Sequence, residues 1–309
     1  MKAALLIGNG LNRCYENDFP DISWSSLLDA IAKTHNVYFD NSNSFPLEFE
    51  CLVNSIAQSI GESSDTVIQE VKEQIAAKVE KLTPKEGSIH HRYMALPISE
   101  VMTTNYDYML ERAHCADAKI SKGSPAPKFS MKRNTTINGK RFHHIHGEAL
   151  AATTLCLGYE HYAGYLAAIQ NYVKNDLDIK ETLFKQPLSD GISWLNLIFT
   201  HDIHIVGLTL GVCEIDLWWL LTYRAYLYNL DASVHRTLTN RITLYDTVKK
   251  PTSSQEAIDK FKKEQESRKN TFERLHVNYV PVYVTDSYLD KFAKIADVIE
   301  QKVGEPITV

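Results

Sequence analysis

The sequence has few cysteines, and no two of them are close together. Its five cysteines include no Cys-x-x-Cys pair, which argues against a zinc ribbon and against a disulfide framework. Cysteines scattered in this way are typical of buried thiols in a reducing compartment. The sequence therefore predicts neither structural zinc nor disulfides from Cys14, Cys51, Cys115, Cys156 and Cys213.

The chain also lacks an excess of positive charge and a long hydrophobic run. Its 38 acidic and 33 basic residues give a net charge of -5, so it has no general attraction to nucleic acid. The most apolar region, residues 194–221, contains polar residues that a membrane-spanning helix would tolerate poorly, among them Asp202, Glu214 and Asp216. The apolar run before Gly8 is too short for a signal peptide. We therefore expect a cytoplasmic protein that contacts neither a membrane nor nucleic acid directly.

Short apolar runs alternate with amphipathic segments along the chain. The runs are typical of buried parallel strands, and they lie at residues 2–7, 100–104, 141–145, 203–207 and 241–245. Asn138-Gly139 favours a hairpin before the third run. This pattern predicts an α/β fold with a Rossmann-like, mainly parallel sheet flanked by helices, in a single domain of residues 1–309.

Two parts of that domain are expected to add mostly helices to the central sheet. Residues 36–86 predict a helical insertion, because apolar residues recur there at helical spacing. Residues 247–309 predict a C-terminal strand and helices, with helices at 249–270 and 286–303 and a strand at 280–284. Residues 177–187 predict an irregular or helical connector.

Polar side chains follow the second apolar run. Thr104, Asn105 and Asp107 come directly after it, and the carboxyl ends of parallel strands are where open α/β sheets bind ligands. An amide and a carboxylate two residues apart can hold a polar ring substituent and a water molecule. The alternative is a strand-to-helix turn in which Asp107 or Asn105 caps the next helix.

Glycine turns follow the first and fourth runs. Gly8-Asn9-Gly10 allows a tight turn and close approach of a ligand, and Gly207-Leu208-Thr209 repeats the arrangement with a hydroxyl. The third glycine of a dinucleotide fingerprint is replaced by Arg13, which could offer its charge to a diphosphate. Tight structural turns explain the same glycines equally well.

Histidines cluster at the end of the third run. His144 and His146 share a face of the predicted strand and His143 does not. No cysteine or carboxylate is suitably spaced beside them, so we expect no metal site. His90 and His91 are expected at the surface, and the tyrosines of residues 155–166 are expected to form a packing face.

Four of these motifs, in this order, resemble those of the sirtuin-like superfamily of NAD-consuming proteins. The matching stretches are Gly8-Asn9-Gly10, Thr104-Asn105-Tyr106-Asp107, His146-Gly147 and Gly207-Leu208-Thr209. Residues 91–100 and 157–166 also resemble the bacterial sirtuin-like branch. The resemblance runs from residue 2 to about residue 221, with gaps.

The resemblance implies a role for each matching residue. Asn105 would contact the ribose and a water molecule, His146 would be the catalytic histidine, and Asp107 with the Tyr106 backbone would hold the nicotinamide amide. The remaining positions are expected to bind the rest of the dinucleotide, and they are Gly8, Asn9, Gly10, Arg13, Thr104, Gly207, Thr209 and Asp246.

Departures from the sirtuin pattern bear on the reaction. The chain has no four-cysteine zinc module after His146-Gly147, and Asn9 and Asn12 replace the usual alanine and serine. These differences favour the branch that hydrolyses NAD to nicotinamide and ADP-ribose without metal, whose bacterial members often act as antiphage effectors. NAD is then the substrate. Self-association and an activating or regulatory protein partner are also expected. The alternatives are a non-catalytic NAD- or ADP-ribose-binding module, a zinc-free deacylase or ADP-ribosyltransferase, and a generic α/β protein.

Overall fold

The computed structural model describes residues 2–20, 22–124, 127–176, 193–230, 238–249, 251, 254–284 and 287–304. Seven strands form one sheet in the order β3-β4-β2-β1-β5-β6-β7. Neighbouring strands are parallel except β3 and β4, which are antiparallel. The Rossmann-like, mainly parallel α/β fold is therefore confirmed. The strands are β1 (Ala3–Ile7), β2 (Glu100–Thr103), β3 (Thr135–Ile137), β4 (Lys140–His144), β5 (Asp202–Val206), β6 (Ile242–Lys249) and β7 (Val277–Val284).

Helices cover both faces of the sheet. The α-helices of the described residues are α1 (Gly10–Arg13), α2 (Trp24–Thr34), α3 (Phe45–Ile60), α4 (Ser64–Val79), α5 (Ile89–Met94), α6 (Met109–His114), α7 (Tyr159–Asn171), α8 (Trp194–Thr200), α9 (Ile215–Leu230), α10 (Gln255–Arg274) and α11 (Tyr288–Gly304). A short 3₁₀ helix spans Ala152–Thr154, and a π-helical turn spans Tyr172–Asp176.

The central strand β1 is buried on both faces, which explains its continuous apolar sequence. Ala4 and Leu6 belong to the core shared with α7, α8 and α9. Leu5 and Ile7 belong to the core on the other face, shared with α5 and α11. Because successive side chains of a strand point to opposite faces, a strand between two helical layers needs apolar residues at every position.

The hairpin expected at Asn138-Gly139 is confirmed. Asn138 and Gly139 both have positive φ, 45° and 81°, as a two-residue type I′ turn requires. The turn joins β3 to β4, with Ile137 opposite Lys140.

Helices α2, α3 and α4 pack together in a separate core beside the sheet. This core includes Tyr106 and Tyr108, which follow β2. The Trp24 ring lies 4.9 Å from the Tyr106 ring, centroid to centroid. The helical layer therefore covers the segment after β2. The interpretation of residues 36–86, which contain α3 and α4, as an insertion in a single domain stays a prediction.

The C-terminal region differs in detail from the prediction. Strand β6 continues to Lys249, which pairs with Val284 of β7, so the helix predicted from residue 249 begins only at Gln255, where Ser254 caps it by accepting the Ala257 N–H. The predicted connector at 177–187 and the start of the predicted helix at 286 lie outside the described residues.

The structure also bears on the cysteines and on membrane-spanning helices. The expectation of buried thiols is wrong for most of the cysteines, because only Cys156 is buried. Cys14, Cys115 and Cys213 are half-buried, and Cys51 is exposed on the outer side of α3. Within the described residues, no helix is both long and apolar enough to cross a membrane.

Candidate functional site

The segments that follow β1, β2, β4 and β5 lie side by side at one edge of the sheet. Parallel pairing continues just beyond the strands, since Thr104 N–H donates to the Ile7 carbonyl (3.2 Å) and Ile145 N–H donates to Thr103 (2.9 Å). Gly8 N–H donates to the Val206 carbonyl at 2.9 Å. The four motifs singled out in the sequence are therefore brought together, at the position where parallel sheets bind ligands.

The two glycine turns interlock. Gly10 N–H donates to the Gly207 carbonyl at 2.8 Å, and a Cβ on Gly10 would lie 2.7 Å from the Gly207 Cα. A Cβ on Gly8 would lie 2.6 Å from the Gly207 oxygen. Contact between the turns thus requires both glycines, and the N–H groups of Gly8 and Gly10 are already used within the protein.

A cavity of about 190 Å³ lies against these turns. Its lining includes five of the residues predicted to bind the dinucleotide, namely Gly10, Arg13, Gly207, Thr209 and Asp246. The side chains of Tyr245, Tyr288 and Phe292 give it an aromatic wall. Polar groups converging on a partly apolar cavity are typical of a small-molecule site.

Charged groups at this cavity are already paired. Arg268 of α10 donates through Nε to the Asp246 carboxylate (2.7 Å) and through its guanidinium to the Thr209 carbonyl. Tyr279 also donates to Asp246, at 2.8 Å. Arg13 is exposed and contacts Glu16 through Nε at 2.6 Å, so its Nη groups can reach a ligand while that ion pair is kept.

Asn105 follows β2 and is 2% exposed. Its N–H donates to the Thr103 hydroxyl (3.0 Å), and its carbonyl accepts a hydrogen bond from His144 Nδ1 at 2.8 Å. The side-chain oxygen Oδ1 is buried without a partner. Since buried polar atoms are nearly always hydrogen-bonded, an unpartnered amide oxygen at the ligand-binding edge suits a substrate or water that bonds there.

Asp107 is held in a network of side chains. Its carboxylate accepts hydrogen bonds from Asn12 Nδ2 (2.8 Å) and from Met109 N–H (2.9 Å) at the start of α6. Burial raises the pKa of this carboxyl, and the two hydrogen bonds partly oppose that effect. Asp107 thus accepts the first N–H of α6, although Tyr108 occupies the N-cap position, and its contact with nicotinamide stays a prediction.

His90 is completely buried, so the expectation that it lies at the surface is wrong. His90 Nε2 lies 2.8 Å from Asn12 Oδ1, which makes it part of the Asp107 network. Burial lowers the pKa of His90 to about 3, so the ring is neutral and can donate to the Asn12 oxygen. Asn9 extends the network, since its Oδ1 accepts from Asn12 at 3.0 Å.

His146 stands at the end of β4 and pairs with a carboxylate of α9. His146 Nε2 lies 2.8 Å from Asp216 Oδ2, and both side chains are buried. The rings of Tyr162 and Tyr165 meet His146 edge-on, with centroids 5.4 and 6.0 Å away. A buried carboxylate fixes the orientation and tautomer of a histidine ring, as it does in hydrolytic triads.

Each histidine of the cluster pairs with a different carboxylate. His143 contacts Glu100 (3.2 Å) and His144 contacts Glu111 (2.8 Å). Burial alone would lower the pKa of His144, but the charge and hydrogen bond of Glu111, with help from Glu148 and the Asn105 carbonyl, raise it to about 9. No group of three metal-ligating side chains is found among the described residues, and the absence of metal stays a prediction.

Tyr106 and Thr104 are placed mainly by backbone contacts. The Tyr106 carbonyl accepts the Ala149 N–H at 2.9 Å, and its hydroxyl donates to the Cys156 carbonyl at 2.5 Å. Thr104 is buried beside Ile7. The Tyr106 carbonyl is thus engaged within the protein.

Sequence reasoning missed Asp216, Arg268 and the hydrogen bond from His144 to the Asn105 carbonyl. A carboxylate at Asp216, between Ile215 and Leu217 in the most apolar part of the chain, was a signal, because buried carboxylates are rare unless they are paired. Arg268 gave no signal, since it falls in a run of charged residues that is typical of a solvated helix.

A comparison with family models gives a match. A family model described as SIR2-like domain matches residues 99–187, which include Asn105, Asp107 and His146. No curated protein matches the chain. The family match supports the sirtuin-like resemblance and an NAD-related activity.

Proposed function

We propose that the protein hydrolyses NAD to nicotinamide and ADP-ribose. One observation carries the proposal. Thr103 and His144 pair on adjacent strands, and Asn105 and His146 each lie two residues beyond them. Asn105 has an unpartnered amide oxygen, and His146 is bonded to Asp216. An orienting amide and a carboxylate-held histidine at neighbouring strand ends suit catalysis at one sugar carbon.

The cavity at the glycine turns would receive the adenosine diphosphate half of the substrate. Its lining offers Arg13 as a cation and the Tyr288 ring as an aromatic surface. Asp246 lies at the same cavity and would accept hydrogen bonds from ribose hydroxyls beside those from Arg268 and Tyr279. Asn105 and His146 would then face the nicotinamide ribose.

The reaction requires little chemistry from the protein. The bond between the ribose C1′ and the pyridinium nitrogen breaks, and its electron pair stays on the nitrogen, so nicotinamide leaves as a neutral molecule. The water oxygen bonds to C1′ and releases a proton. If Nε2–H donates to Asp216, the Nδ1 lone pair of His146 would take up that proton. Asn105 would orient the water or the ribose.

Access to this half of the site is limited in the structure. Asn105 and His146 are 2% and 3% exposed, and the rings of Tyr162 and Tyr165 pack against His146. Binding of the nicotinamide end therefore requires these neighbours to move. This fits the proposal that a protein partner or self-association activates the enzyme. We also propose, from the sirtuin-like resemblance alone, that it acts in the cytoplasm as an antiphage effector.

Single substitutions test the proposal. Asn105→Ala and His146→Ala should each lower nicotinamide release from NAD by about 100-fold or more, because each removes an orienting or acid–base group. NAD affinity in calorimetric titration should change much less, since the glycine-turn cavity is untouched. Nicotinamide is measured by chromatography.

Asn54→Ala on the exposed face of α3 is the matched control, because Asn54 bonds only to the Glu50 carbonyl and to the exposed Ser64 hydroxyl. If a folded Asn105→Ala or His146→Ala protein keeps wild-type turnover, the assignment of that residue is wrong. If the wild-type protein binds NAD and releases no nicotinamide, even at high protein concentration, that result would favour the non-catalytic NAD-binding module. This alternative is also consistent with the burial of His146.

A further inference from the structure

A second cavity lies at the opposite edge of the sheet. Its volume is about 390 Å³, and Arg241, Ile242 and Asn278 of its lining stand where β6 and β7 begin. The glycine turns, in contrast, follow the ends of strands. The lining is rich in hydrogen-bond donors, with two arginines, two asparagines and a histidine, and none of the described residues that line it is acidic.

A buried guanidinium borders this cavity. Arg224 of α9 is 1% exposed. Its Nη2 donates to the carbonyl (2.6 Å) and the side-chain oxygen (3.1 Å) of Asn240. Nε and Nη1 are buried without a hydrogen-bond partner. A cation in such a position is costly unless something else satisfies it.

The nearby carboxylate of Asp202 does not accept a hydrogen bond from Nε or Nη1 of Arg224. Asp202 Oδ1 accepts the Arg241 backbone N–H at 2.6 Å. Burial lowers the pKa of Arg224 to about 10, although Tyr228 and Asp202 partly oppose this effect. Arg224 is therefore cationic at neutral pH, and its guanidinium has two nitrogens to offer.

We propose that this cavity binds a small phosphate-bearing anion between Arg224 and Arg241. A guanidinium presents its N–H groups as a planar fork that matches phosphate oxygens. Arg241 is exposed at the rim, so the two arginines border the cavity from a buried and an accessible side. The volume falls in the range of small-molecule sites. This site does not depend on NAD hydrolysis.

An anion bound here would also contact the helix that holds the catalytic pair. Arg224 and Asp216 lie on α9 eight residues apart, which corresponds to about 12 Å along the helix axis. If the proposed hydrolysis is correct, occupancy of the cavity would stabilise the helix that positions Asp216 against His146.

Calorimetric titration with inorganic pyrophosphate tests the site in a phosphate-free buffer. The wild-type protein should bind, and Arg241→Gln should bind about tenfold or more weakly, because a charge-assisted contact is lost. Arg224→Lys, which keeps the charge and loses the fork, should also weaken binding. Arg241 is exposed, so its variant decides the question even if Arg224→Lys fails to fold.

Two controls locate the anion. Lys263→Gln removes an equal charge from the exposed face of α10, and Arg13→Ala removes the cation at the glycine-turn cavity. Lys263→Gln should bind pyrophosphate as the wild type does. Arg13→Ala should lose only pyrophosphate bound at the glycine-turn cavity and should keep the binding event that Arg241→Gln weakens. Absence of wild-type binding at millimolar pyrophosphate would overturn the proposal, as would a loss of binding in Arg13→Ala with none in Arg241→Gln.

Discussion

The pair formed by His146 and Asp216 allows a graded test of the proposed chemistry. Asp216 is fully buried, and its Oδ2 lies 2.8 Å from His146 Nε2. In Asp216→Asn, the amide oxygen can still accept from the ring, so the geometry is kept and the charge is lost. In Asp216→Ala, both are lost.

The magnitudes follow from the kind of hydrogen bond that is changed. A hydrogen bond to a charged group contributes about 1.5–3 kcal/mol and a neutral one about 0.5–1.5 kcal/mol. Loss of the charge alone therefore corresponds to about 1–1.5 kcal/mol, or about a tenfold lower kcat. Loss of the whole contact corresponds to about 10- to 150-fold.

The assay is nicotinamide release across a range of NAD concentrations, which separates kcat from KM. KM should change little, because Asp216 does not line the cavity at the glycine turns. Asp259→Asn, at an exposed position of α10, controls for the change of charge. Wild-type kcat in folded Asp216→Asn and Asp216→Ala, or an effect on KM alone, would refute the role of Asp216.

Two further predictions concern stability. Because the pKa of His144 is raised from 6.5 to about 9 in the folded protein, its contribution of about 3 kcal/mol is fully present below about pH 6.5 and is lost as the pH rises through about 9. Urea unfolding at both ends of this pH range should show that His144→Gln lacks this decrease in the free energy of unfolding. An equal decrease in the wild type and in His144→Gln would contradict the assignment. Gly10→Ala should cost about 3 kcal/mol or more, because its Cβ would lie 2.7 Å from the Gly207 Cα. Gly61→Ala, with φ of 74° and no atom within 4 Å, should cost only about 1–2 kcal/mol, so similar melting temperatures for the two variants would argue against the interlocked turns.

The fold was predictable because the sheet is buried on both faces. Strands such as β1 then have continuous apolar sequences with glycine or polar residues at their ends, and this signal is local. The extension of β6 to Lys249 was not predictable, since Asp246 and Lys249 are polar and their pairing depends on β7.

The candidate site was predictable only in part, because strand ends are visible in the sequence and side-chain partners are not. The positions of Asn105 and His146 follow from the strands before them. The bond from His146 to Asp216 joins residues that are distant in sequence, and the burial of His90 depends on Asn12 of another element. For Asp107, the sequence left two alternatives. Its bond to the Met109 N–H resembles a helix cap, and its bond to Asn12 of α1 could not be foreseen from the sequence.

The central position of β1 has a consequence for synthesis of the chain. Leu5 pairs with Val101 on one side and with His204 on the other, so its partners are made about 100 and about 200 residues later. Contacts of such long sequence separation form slowly. A nascent chain that ends before β5 lacks Gly207, Thr209 and Asp216, so neither the cavity at the glycine turns nor the partner of His146 exists. If the proposed NAD hydrolysis is correct, the protein would thus stay inactive on the ribosome until translation had passed Asp216.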